Sequence, residues 1–218
     1  MHRLTRRELL KAGVATVVLA RFARAAVSPV YLLRTTDRAE GIRRGLAALG
    51  FPPARGKRVV IKTHRYGGHF TLSLKNSVGM VAKDSPSDNY NYMSELHGSA
   101  YQRQMIAEIN QLYQPAMVVM DGLEAFTDGG PESGTLVTPQ VMVFGTDRVA
   151  VDAVGVAILR MHGGNATISR GRIFEQEQIA RAAQLGLGAR GPEQIDLVAD
   201  DPESRQLAER IRQILRRG

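Results

Sequence analysis

Cysteine is absent from the 218-residue sequence. That absence excludes disulfides, thiolate-held zinc, a cysteine nucleophile and any cysteine-ligated iron–sulfur cluster. No apolar run approaches the roughly 20 residues needed to cross a bilayer. Aromatic residues make up only 6% of the chain, and no aromatic-interleaved basic stripe of the kind that takes nucleic acid is present. What remains is an ordinary globular composition, 44% hydrophobic and 23% charged, of a length that suits one domain.

The formal net charge of +8 is concentrated at the start. Arg3, Arg6, Arg7, Lys11, Arg21 and Arg24 against Glu8 give residues 1–25 a net +5 and leave +3 for the rest. Arg6-Arg7 directly precedes Glu8-Leu9-Leu10-Lys11 and a short apolar stretch, residues 12–20, which has the length of a signal core and is too short for an anchor. Ala23-Arg24-Ala25 follows as a small-x-small cleavage site. The order of these features resembles a twin-arginine signal peptide, whose pathway exports folded proteins. The expectation is therefore a leader over 1–25, a single mature domain over 26–218, and a periplasmic or otherwise extracytoplasmic location. The implied partner is the twin-arginine export machinery, with no stable membrane anchor after cleavage and no nucleic acid.

Residues 30–34 read as a strand and 57–62 as a second. Between them Asp37 can cap a helix, Glu40 completes a capping box, and Ile42, Leu46 and Leu49 recur at helical spacing. Strand, helix and strand in this order predict a parallel, right-handed βαβ unit. Residues 71–81 lean towards helix, and Tyr101, Met105, Ile109 and Leu112 mark another that ends before Pro115. Strands are expected at 116–120, 141–144 and 195–198. A long loop is expected over 124–139. Helices are expected at 148–161, under an Asp147 cap, at 173–185, and after Asp201-Pro202 with Leu207, Ile211, Ile214 and Leu215 on one face. This alternation predicts an α/β fold, a mostly parallel sheet flanked by helices in a three-layer sandwich.

Ligands of open α/β sheets bind beyond the carboxyl ends of the strands. Three polar loops leave such ends, and parallel neighbours would bring them to one edge. The first carries Lys62, His64 and His69, with Lys75 further on. The second carries Asp121, Glu124, Asp128, Gly129, Gly130, Glu132 and Gly134, and the third Asp147. Lysine and histidine can contact an anion, glycine N–H groups can cradle one, and Asp121, Asp128 and Glu132 can hold a cation through oxygen. Each has a plainer reading as well. The lysines can face water, the glycines can only turn the chain, Asp147 can simply cap a helix, and Asp152 can pair with Arg148 one turn before it. Ser133 is not in a nucleophile elbow.

Three blocks carry a family resemblance. Lys62-Thr63-His64 with Thr71-Leu72-Ser73-Leu74-Lys75-Asn76-Ser77-Val78-Gly79, the segment from Asp121-Gly122 through Gly129-Gly130-Pro131 to Gly134, and Gly145-Thr146-Asp147-Arg148-Val149-Ala150-Val151-Asp152-Ala153 resemble, in order, the motifs of the domain of unknown function 362 family. The resemblance covers most of residues 30–200 and implies an α/β fold with no established reaction. The family pattern has a further segment between two lysine-ending strands. Here Val59-Val60-Ile61-Lys62 runs directly into Thr63-His64, as after an internal deletion between 62 and 63.

Two functions are expected. One is an exported protein that binds an anionic small molecule or an oxygen-ligated metal. Lys62, His64, Lys75, Asn76, Gly129, Gly130 and Gly134 would contact the ligand, and Asp121, Asp147 and Asp152 would serve as acid, base or metal ligands. The other is a non-catalytic binding or interaction protein, or a shortened family member. The sequence identifies no cofactor, metal or substrate.

Overall fold

The computed structural model describes residues 27–51, 69–81, 89–130 and 133–218. The expected strand at 57–62 lies outside them, as do Lys62, His64, Glu132 and the expected leader over 1–25. Among the described residues, a four-stranded sheet has the order β2-β5-β1-β6, from β1 (Ser28–Arg34), β2 (Val118–Gly122), β5 (Val141–Gly145) and β6 (Ile195–Val198). The expected mostly parallel sheet is corrected to a mixed one. β1 runs parallel to β6 but antiparallel to β5, and β5 runs antiparallel to β2. A second, two-stranded antiparallel sheet joins β3 (Ala125–Gly129) to β4 (Gly134–Val137), where a long loop was expected.

The strands are apolar on both faces because both are covered. Val30 and Leu32 of β1 and Val141 and Val143 of β5 point into the main core, while Tyr31, Leu33, Met142 and Phe144 point the other way into a smaller cluster. Helix α1 (Arg38–Ala48) packs against β1 and β5. Asp37 caps it, its carboxylate accepting from the Ala39 and Glu40 N–H groups. The helix meets the sheet through Gly41 and Gly45, whereas Ile42 is 42% exposed. A Cβ at Gly45 would lie 2.5 Å from the Phe144 ring, so only glycine lets the two elements approach this closely.

The main core is built on α5 (Arg148–Met161), in which every residue from Arg148 to Leu159 is buried. Helix α8 (Pro202–Arg217) packs beside it, with Leu207, Ile211 and Leu215 buried as their spacing predicts. The segment read as helix over 71–81 is two short turns, α2 (Ser73–Asn76) and a 3-10 turn (Ser77–Met80), seated on α5. The remaining helices are α3 (Met93–Gly98), α4 (Gln102–Ile109), α6 (Ala166–Ser169) and α7 (Glu177–Gln184), with α4 packed on α7. None of the helices in the described residues is long and apolar enough to cross a membrane.

Candidate functional site

Strand direction decides where the expected site residues fall. Asp121 of β2 stands opposite Met142, near the start of β5, while Gly145 at the end of β5 stands opposite Val118 and Val30. Asp121 and Asp147 therefore lie at opposite ends of the sheet. In a parallel sheet they would have shared one edge.

Each carboxylate is committed locally. Asp121 accepts from Arg38 Nε at 2.5 Å and from the Leu123 N–H at 3.1 Å, in an exposed position. Asp147 caps α5, its Oδ1 accepting from the Val149 and Ala150 N–H groups. Its Oδ2 accepts from the Ser28 hydroxyl at 2.5 Å and the Ala189 N–H at 2.7 Å. It thus ties together the first turn of α5, the start of β1 and the chain around 189. Gly129, Gly130 and Gly134 shape the β3–β4 turn, all with positive φ, and the Gly130 N–H donates to Ser133 O at 2.5 Å. A Cβ at Gly129 would lie 2.6 Å from Ser133 O, so the turn itself requires glycine there.

Asp152 is bonded to the short turn that carries Lys75 and Asn76, through partners that the spacing did not announce. Asp152 is wholly buried on α5. Its Oδ1 accepts from the Ser73 N–H at 2.7 Å and the Ser73 hydroxyl at 2.6 Å, and its Oδ2 from the Leu74 N–H at 3.2 Å. Burial pushes its carboxyl up to about 6, against the opposing pull of the Ser73 and Leu74 hydrogen bonds. Asn110, at the end of α4, donates through Nδ2 towards Leu74 O, Ser77 Oγ and Ile106 O. The Ser77 hydroxyl also donates to Leu74 O. The short turn that carries Lys75 is therefore clamped from two sides, by Asp152 and by Asn110.

Lys75 has no exposed surface, and its Nζ has no hydrogen-bond partner among the described residues. Desolvation lowers its ammonium to about 8. Asn76, the next residue, is only partly buried. Arg148 does not form the expected pair with Asp152. Its guanidinium donates to Asn110 Oδ1 at 2.8 Å, Tyr113 O at 3.0 Å and Gln114 Oε1 at 3.3 Å, and it lies 4.8 Å from the centre of the Tyr113 ring. Arg148 thereby locks the end of α4 to the start of α5.

The 101–112 pattern marked Tyr101, Met105, Ile109 and Leu112 and so missed Asn110: the buried face is Gln102, Ile106, Ala107 and Asn110, while Tyr101 and Leu112 are exposed. Ser73 and Ser77 gave a weak signal, flanking Lys75 at two-residue distance. Among the described residues no three His, Asp or Glu side chains are grouped so as to hold a metal ion.

The arrangement defines a mixed-sheet protein with a buried polar cluster beside a lysine amine that has no hydrogen-bond partner among the described residues. The model of the family described as Domain of unknown function (DUF362) matches residues 59–157, a little under half of the chain. That stretch contains Lys75, Asn110, Arg148 and Asp152, and over it the chain is similar to this family. No curated protein and no solved structure matches the chain.

Proposed function

We propose that this chain is an exported protein that binds a small anionic molecule at Lys75. The observation that carries the reading is the Lys75 ammonium, buried without an acceptor among the described residues. An unpaired buried ammonium costs several kcal/mol, roughly, and a site that keeps one gains when an anion arrives. The surrounding hydrogen bonds hold the turn in place, so the amine is positioned before the ligand binds. Export is supported by the twin arginines, the short apolar stretch and the cleavage site in residues 1–25.

Native mass spectrometry of the mature protein, taken from the exported fraction, tests this reading. The expected result is a bound small molecule that dissociates on activation and is missing from Lys75→Met. The reading fails if the wild type carries no added mass and no carboxylate or phosphate raises its melting temperature.

A second reading, a binding or interaction protein without catalysis, is favoured by the separation of Asp121 from Asp147 and by the local commitments of Asp121, Asp147 and Asp152. A turnover abolished by Asp152→Ala at unchanged melting temperature would exclude it.

A further inference from the structure

The groups around Lys75 say what kind of anion suits it. The Ser73 and Leu74 N–H groups and the Ser73 hydroxyl are given to Asp152. The Ser77 hydroxyl is given to Leu74 O, and the Asn110 amide nitrogen to Leu74 O, Ser77 Oγ and Ile106 O. A phosphate or sulfate wants several donors around its oxygens. Here those donors are spent, and the nitrogens of the cluster left without a partner among the described residues are Lys75 Nζ, Arg148 Nε and Gln178 Nε2, of which only the lysine is a nucleophilic amine.

One nitrogen is enough for covalent chemistry with a carbonyl carbon. We propose that Lys75 Nζ condenses with the carbonyl group of a small oxo acid to form a Schiff base. This rests on the reading of Lys75 as the ligand anchor and narrows its ligand to a class. In the step, the nitrogen lone pair attacks the carbonyl carbon and a C–N bond forms, giving a carbinolamine. The carbinolamine then loses the former carbonyl oxygen as water, with both protons of the neutral amine, and leaves an imine. Protonation of the imine gives an iminium, whose charge the ligand's own carboxylate offsets, so the buried site needs no further anion. No oxidant or reductant takes part.

Three features favour the step. No acceptor among the described residues competes for the Nζ hydrogens. Burial excludes the water that would hydrolyse the imine, and it also makes the free amine more available near neutrality. Access requires the α-turn and 3-10 turn that carry Lys75 to open against their hydrogen bonds to Asp152 and Asn110, so the labelling is expected to be slow.

The test is incubation of the mature chain with pyruvate and cyanoborohydride, followed by peptide mass spectrometry. The expected product is a single carboxyethyl group on Lys75, with labelling roughly tenfold or more above Lys57, Lys62 and Lys83. Lys75→Arg and Lys75→Met, each checked for folding by circular dichroism, should lose that label. Even labelling of all lysines, or labelling that spares Lys75, overturns the Schiff base. If pyruvate still binds with a heat that depends on Lys75, the anion reading stands while the covalent step falls. If neither heat nor label is found, both fall.

Discussion

Lys75 and Asp152 are opposite charges that are both buried, under different constraints. The folded-state value of Lys75, about 8, lies below the ordinary 10.5. The unfolded chain therefore holds more protons than the folded one between those two values. Below about pH 8 the full cost is present, and it is relieved as pH rises towards 10.5. Lys75→Met should accordingly raise stability at pH 7 by about 1–3 kcal/mol, and urea denaturation should show that advantage shrinking between pH 8 and 10.5. Asp152 is raised from 3.8 to about 6, so its cost is present above pH 6 and disappears as pH falls towards 3.8. Asp152→Asn should nevertheless destabilise the protein by about 1–3 kcal/mol, because an amide cannot accept from both Ser73 and Leu74 without turning its own N–H₂ against one of them. The loss should show as a lower denaturation midpoint at pH 7. Asp152 was legible in the sequence as a carboxylate inside an apolar helix, whereas Lys75, among serines and an asparagine, was legible only as a candidate anion contact and its burial was not. The route of the Arg148 side chain was not, because helical spacing places Arg148 near Asp152 but says nothing of Asn110, which a distant helix brings in.

Among the elements, the helix caps were the most legible features. Asp37, Asp147 and Asp201 all accept the N–H bonds that their positions promise. The β3–β4 hairpin was hidden, because β4 is exposed at Gly134, Thr135 and Leu136 and offers no inward apolar row. Helix α1 was found, but its inward face was misassigned. Periodicity marks Ile42 and Leu46, whereas close packing selects Gly41 and Gly45. Gly45→Ala should therefore cost about 1–2 kcal/mol net, although alanine favours a helix by about 1 kcal/mol. Thermal unfolding checks it. The cost should shrink in a Phe144→Leu background, where the ring that meets the new methyl is gone.

For the whole molecule, strand direction was the part the sequence did not express. Continuous apolar strands such as residues 30–33 and 141–144 are the mark of a sheet covered on both faces, and such sheets are commonly parallel. Here α1 covers one face and α5 with α8 the other, yet β5 runs against both of its neighbours. That reversal sends Asp121 and Asp147 to opposite ends and leaves the Lys75 cluster as the candidate site. Export is tested at this scale too. N-terminal sequencing of the exported protein should begin at Ala26, and Arg6→Lys with Arg7→Lys should abolish export.

The most direct test is calorimetric titration of the wild type and of Lys75→Met with pyruvate at pH 7, on proteins with matching circular dichroism. A saturable heat in the wild type that vanishes in the variant is the predicted result. No heat in the wild type, or the same isotherm in both proteins, would contradict Lys75 as the anchor.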